Sequence, residues 1–449
     1  MGAVLRFEHI LTPGGIERHK RLVIDDFGRV TAIENDESGP GRGADGWLAL
    51  PGMPNAHSHS FQRALVGRGE AARGADSFWS WREAMYGLAQ TLTPEQLCSV
   101  ATRAFADMLR GGFTSVAEFH YLHDHVDGSR GPEMARAVAA AADQAGIRLV
   151  LLPVLYQRGG FGHPAEARQR RFVHERLEDY LELLRDLDDL SLGVAPHSLR
   201  AVDPPVIKEL ISAADAMLPT GYPRHIHIAE QRREVEECLS ATGARPVELL
   251  AATVDLGPDW NLVHGTQVSD REMTLMADAG VTTVLCPLTE AYLGDGVFPV
   301  RRYVQRGGRL AVGSDSNVRI DAVEELRWLE YGQRLSLGRR GCLATESGLG
   351  APLWRRAAEG GAAALAQPVG AIAPGAFADL VVLDPEDPPL SGLDAQGALD
   401  GLVTGGSSAN FAAVYVGGQR RILGARHGDE DRISGAFRVA MNEISGAGT

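Results

Sequence analysis

The pattern that most constrains this chain is an alternation. Eight short apolar runs punctuate its middle: Trp47–Leu50, Thr114–Glu118, Arg148–Leu155, Leu192–Ala195, His225–Ile228, Asn261–Val263, Thr282–Leu285 and Leu310–Val312. Between most of them lie segments of helical periodicity, among them Thr93–Arg110, Pro132–Ala145, Ala165–Leu187, Pro204–Ala216 and Arg232–Thr242. Runs of this length suit strands buried on both faces, and strands that alternate with helices build parallel sheets. Eight such units predict an α/β architecture, a (β/α)8 TIM-like barrel. A doubly wound open sheet is the alternative, but no glycine-rich dinucleotide or phosphate loop follows any strand. The two ends differ from the middle. Val4–Phe7, Arg21–Ile24 and Arg29–Ile33 read as short strands, as do the stretch after Gly375 and the hairpin formed by Ala412–Val416 and Gln419–Leu423. They predict one small β-sandwich domain from residues 1–50 and 367–449, around a barrel of residues 51–366.

Composition narrows the function. Apolar residues are 44% and charged ones 23% of the 449, which suits a soluble chain with a large core. The net charge of −14 repels nucleic acid and anionic membranes. Four cysteines without CxxC spacing exclude a disulfide framework and a thiolate zinc site. The N-terminus carries charges where a signal peptide needs an apolar run, and the apolar stretch Met134–Tyr156 is broken by Arg136, Asp143 and Arg148. The expectation is a cytoplasmic enzyme with no nucleic-acid or membrane partner. Lysine occurs only at Lys20 and Lys208, so no step can depend on a lysine elsewhere.

The chemically interesting residues follow the apolar runs, at the end of a barrel where active sites sit. His57 and His59 flank Ser58, and period-two alternation puts both imidazoles on one side. His225, His227 and Glu230 belong to the fifth run, His264 to the sixth, and Asp315 follows the eighth. Three imidazoles and a carboxylate suit zinc or iron rather than calcium or magnesium.

This set resembles the metal-dependent amidohydrolase superfamily in its deaminase branch, over nearly the whole chain. Within that branch the chain is similar to the N-formimino-L-glutamate deiminases. The similarity is carried by Pro54–Ala64, Phe78–Arg82, Glu118–His123, Ala195–Arg200 and Gly313–Asn317. The resemblance implies hydrolysis of N-formimino-L-glutamate to N-formyl-L-glutamate and ammonia. Many superfamily members bridge two metals with a lysine of the fourth strand. The corresponding stretch Ser191–His197 has none, which implies one divalent ion, zinc or alternatively iron, on His57, His59, His227 and Asp315. Asp315 and Glu230 would move protons, His264 would orient the attacking oxygen, and His225 would be structural.

A small dianionic amidine substrate on so acidic a protein needs local arginines. Arg82 and Arg200 fill that role, while the resemblance adds Gln62, Tyr121 and His197 as substrate contacts. The tract His120–His125 looks like a second metal site but reads better as a substrate-facing loop. Trp79 and Trp81 read as lid or core packing. Leu288 and Tyr292 depart from the deiminase pattern and put the pocket near the seventh strand in question. A related formimino or guanidino diacid deaminase, or a nucleobase deaminase such as guanine deaminase, are the competing readings. A barrel without activity would need a lost ligand or a lost Glu230, and both are present. The resemblance also implies a homodimer.

Overall fold

The computed structural model describes residues 2–37, 45–68, 70 and 77–446, with backbone alone at 77–80. Most of the glycine-rich loop expected at Glu37–Gly46, the Trp79 side chain and residues 447–449 therefore lie outside the described residues. Eight parallel strands form the barrel: Met53–Ser58, Phe113–His120, Arg148–Leu155, Ala195–Pro196, Arg224–Ile228, Trp260–His264, Thr282–Leu285 and Arg309–Val312. They pair in sequence within two halves. Bridges from Val194 to Arg224 and from Ser58 to Asp315 join the halves at both edges and close the ring.

One expected barrel strand lies elsewhere. Trp47–Leu50 belongs to the strand Gly46–Pro51, which pairs with Ala3–Thr12 and Leu380–Leu383 in the terminal sheet. The first barrel strand is instead Met53–Ser58, the segment that carries His57. The segment Ala165–Leu187 is not one helix but a 3-10 turn at Ala167–Phe172 followed by a helix at Leu177–Asp186. The break has a visible cause. Arg171 turns fully inward and donates to the carbonyls of Ala89, Leu92 and Asp124, while its own carbonyl accepts from the backbone of His123 and Asp124.

The two ends of the chain meet in one eight-stranded sheet, ordered Arg426–His427, Gln419–Leu423, Phe411–Val416, Leu380–Leu383, Gly46–Pro51, Ala3–Thr12, Gly15–Ile24 and Val30–Asn35. Its alternation divides the apolar residues between two cores. Ala49, Leu380, Val382, Ala413 and Tyr415 join Leu5, Phe7 and Leu22 in a cluster of the sheet's own. Leu48, Leu50, Val381, Leu383, Val414 and Val416 face the barrel core. A one-residue slip would exchange the two sets, so both cores fix the register. Asp379 ties sheet to barrel by accepting from both Nε and Nη2 of Arg148 at 3.2 Å, and from the Gly417 backbone at 2.7 Å.

Two helices from the C-terminal segment, Ala395–Gly405 and Glu430–Gly446, lie outside that sheet. The latter packs on Pro94–Arg110, a helix opened by a capping box between Thr93 and Gln96. Ser445, near the end of the Glu430–Gly446 helix, donates to the Met441 carbonyl at 2.7 Å. No helix among the described residues is long and apolar enough to cross a membrane.

Candidate active site

At the C-terminal end of the barrel, Nε2 of His57 lies 3.2 Å from Nε2 of His59 and 3.0 Å from Nε2 of His227. Asp315 Oδ1 stands 3.6 Å from the first and 3.4 Å from the second. These separations are those of a tetrahedral shell, because ligands about 2.05 Å from zinc lie about 3.3 Å apart. The proton positions agree. Nδ1 of His59 faces the Phe119 carbonyl at 2.9 Å and Nδ1 of His227 the His197 carbonyl at 3.2 Å. A carbonyl can only accept, so both Nδ1 atoms carry the proton and both Nε2 atoms present bare lone pairs. Lone pairs packed this closely repel unless a cation lies between them. The residues fit a divalent metal ion.

Burial drives all three imidazoles toward the neutral form that ligates a metal: His59 falls to about 3, and His57 and His227 fall well below the usual range. Burial also lifts the Asp315 carboxyl to about 7, with Glu230 and Glu290 adding to the rise against His264. His264 behaves differently. Burial opposes its charge, yet Glu230, Glu290 and Asp315 together raise it to about 10. Its Nε2 is 3.8 Å from both Glu230 Oε1 and Asp315 Oδ2, and its Nδ1 is 3.3 Å from Glu290 Oε1.

The backbone beneath is strained. Ala229, His264, Asp315 and Asn317 have φ of +50°, +69°, +43° and +56°, which non-glycine residues adopt at a cost. Polar side chains hold it there. Glu234 accepts from the backbone of Ala229 at 3.1 Å and of Glu230 at 3.0 Å. Asn55 Oδ1 accepts from Ser314 N, and Asn317 Nδ2 donates to Ser58 Oγ and to the Asp315 carbonyl.

One cavity brings together His59, Gln62, Arg82, Tyr121, His197, Arg200, His227, Glu230, His264 and Asp315, with His57 buried behind them. Gln62 donates to the Tyr121 hydroxyl at 2.7 Å. Arg82 and Arg200 stand between this chamber and an outer cavity of about 780 Å³ that both also line. The rest of the inner wall is aromatic or apolar and was not singled out in the sequence: Met85, Tyr86, Tyr156, Phe172 and Leu293, beside the expected packing residue Trp81. Glu290 and Glu234 were missed too. Each lies three or four residues into a helix, where only the folded turn reveals what it holds.

Several other expectations resolve differently. Of the His120–His125 tract only Tyr121 faces the cavity. His123 Nε2 bonds the Val154 carbonyl, His120 and His123 pack edge to face, and His125 pairs with Glu133. The tract therefore packs behind the wall rather than forming a substrate-facing loop. His225 bonds the Ala364 carbonyl at 2.8 Å, away from the cluster. Leu288 and Tyr292 do not line the chamber; the seventh-strand side is shaped by Leu293. Cys286 is a buried thiol whose pKa burial pushes well up.

Residues 48–421 match the amidohydrolase family model. The chain belongs to the amidohydrolase family. Members of that family are metal-dependent, and the histidine-rich cluster of this amidohydrolase is a candidate metal site. It is 42% identical to the formimidoylglutamate deiminase of Pseudomonas aeruginosa, over 97% of this chain and 98% of that one. A solved amidohydrolase from Brucella melitensis superposes with a TM-score of 0.90 at 41% identity, covering 98% of this chain and 99% of its own. An adenosine deaminase from Xanthomonas campestris with bound zinc shares the fold at TM-score 0.80 and 23% identity, over 98% of each chain.

Proposed function

We propose that this amidohydrolase hydrolyses the C–N bond of a formimino group, converting N-formimino-L-glutamate and water into N-formyl-L-glutamate and ammonia. The observation that carries the reading is Arg200. Its Nε is buried without a hydrogen-bond partner, and its side chain lines the same cavity as the histidine–aspartate cluster, as does Arg82. A half-buried guanidinium with an unpaired Nε suits an anionic ligand, and forked donors suit a carboxylate. A neutral nucleobase would leave its charge uncompensated. The similarity to the Pseudomonas aeruginosa deiminase supports the same substrate.

His57, His59, His227 and Asp315 would hold the metal, which is zinc on this reading, with iron the alternative. Such an ion lowers the pKa of a water molecule from 15.7 toward about 7 and so supplies a nucleophile at neutral pH. Asp315 would accept a proton from the attacking water. His264, held by Glu290 and facing Glu230 and Asp315, donates toward the oxygen as it bonds the formimino carbon. Glu230 carries protons to the formimino nitrogen, whose bond to carbon then breaks to release ammonia. Both protons of water end on the leaving nitrogen. Arg200 and Arg82 hold the carboxylates, and Gln62, Tyr121 and His197 fix the amidine end.

The test is ammonia release from N-formimino-L-glutamate, N-formimino-L-aspartate, guanine and adenosine by zinc-loaded and iron-loaded enzyme. Turnover of the formimino diacids with none of the purines is expected, fastest for the glutamate compound with zinc bound. Release from a purine alone would overturn the assignment.

A further inference from the structure

Two tyrosines that have no part in the proton steps stand in the same wall as the arginines. Tyr86 and Tyr156 are 4% and 3% exposed and line the cavity. Gln169, 1% exposed, lies between them. Its amide has a defined sense, because Oε1 accepts from the Glu166 backbone at 2.8 Å. The remaining atom is therefore the NH2 group, which reaches the Tyr156 hydroxyl at 2.7 Å and the Tyr86 hydroxyl at 3.0 Å. An NH2 can only donate, so both phenol oxygens accept. Arg82 adds a second donor to Tyr86 through Nε at 2.8 Å, and its positive charge also faces Tyr156. Both hydroxyl oxygens thus accept from the protein while their protons stay uncommitted. Among the described residues neither hydroxyl donates to a protein acceptor. Burial pushes Tyr156 up to about 12, so it keeps its proton.

The face made by Arg82, Arg200, Tyr86 and Tyr156 consequently presents donors, while the acceptors of the cavity, Glu230, Asp315 and Gln62 Oε1, belong to other lining residues. A carboxylate only accepts and can satisfy it. A carboxamide or a sugar hydroxyl brings protons that meet no acceptor there. We infer that Tyr86 and Tyr156 donate their phenol protons to the substrate carboxylate held by Arg82 and Arg200, with Gln169 as the positioning residue that aims both. The pair selects a carboxylate over its neutral isostere. The inference rests on the proposed function only in naming N-formimino-L-glutamate as the source of that carboxylate.

The experiment is calorimetric binding of N-formyl-L-glutamate and its two mono-amides to zinc-loaded wild type, Tyr86→Phe and Tyr156→Phe. Wild type is expected to prefer the diacid over one mono-amide by about 100-fold or more. Each phenylalanine variant is expected to weaken diacid binding by about 10-fold and leave that amide's affinity unchanged. In turnover the same variants raise KM and change kcat little. Unchanged diacid affinity in both variants overturns the inference. So does equal loss for acid and amide, or a wild type that does not bind the diacid. If one variant fails to fold, the other decides. Wild-type ammonia release, measured in parallel, judges the proposed function separately: tyrosine-dependent binding without turnover would sink that function and leave this inference standing.

Discussion

In the proposed mechanism Glu230 serves bond breaking and Arg200 binding, and each yields a separable prediction. Glu230→Gln should retain its metal by metal analysis while kcat falls by about 10²–10⁴-fold, because the proposed mechanism loses its proton carrier and no proposed ligand. Arg200→Met should chiefly raise KM for N-formimino-L-glutamate; steady-state kinetics with an unchanged KM would mislocate the carboxylate. At this scale the sequence was informative where one residue type does one job at a strand end. His57, His59, His227, His264 and Asp315 are brought together in the fold. It was silent on Glu234 and Glu290. Each acts on an atom that only a left-handed turn or a neighbouring loop brings within reach. Tyr86 and Tyr156 were silent for a related reason: a tyrosine's donor direction depends on which groups already occupy its oxygen.

Among the elements, the first barrel strand was hardest to read. Met53-Pro54-Asn55-Ala56-His57-Ser58 has no β-branched residue and includes a proline, so the apolar run just before it drew the assignment. Its strand conformation comes from its neighbours, Phe113–His120 on one side and the Gly313–Asp315 corner on the other. That corner leaves no room. A Cβ on Gly313 would lie 2.8–2.9 Å from the backbone and Cβ of His57. Gly313→Ala should therefore push the eighth strand off the first. We expect a loss of about 1–3 kcal/mol in thermal or urea unfolding and about 10-fold weaker zinc retention against a chelator. The helices were easier, since caps such as Thr93 with Gln96 act within one turn. The segment around Arg171 was not, because what ends the helical pattern is a side chain docking onto three distant carbonyls.

The whole molecule is held by links between the terminal sheet and the barrel. Asp379 is fully buried, and the Arg148 guanidinium it meets also lies 3.4 Å over the Phe377 ring. Asp379→Ala should destabilise the protein by about 3 kcal/mol, the lower end for a broken buried pair because Arg148 remains one-fifth exposed. Denaturant unfolding reads this directly, and ammonia release per folded molecule should be unchanged. Stripping the metal with a chelator should abolish activity and lower the melting temperature, with zinc restoring both, since an ion bound only to the native state adds about 4 kcal/mol at a thousand times its Kd. The fold class was legible at this scale from alternation alone. That both termini join in one β domain was legible from their composition, though as a sandwich rather than the single eight-stranded sheet, and without the strand order.

Closure of the ring sets a timetable for the cation. Asn55 and Ser314, whose side chains clamp the seam beside the four donors, are 259 residues apart in the chain. A polypeptide still emerging from the ribosome thus carries its first pair of imidazoles long before it has the aspartate. On the proposed ligand set all four donors meet only once the eighth strand lies beside the first, so a fully liganded cation requires the closed ring.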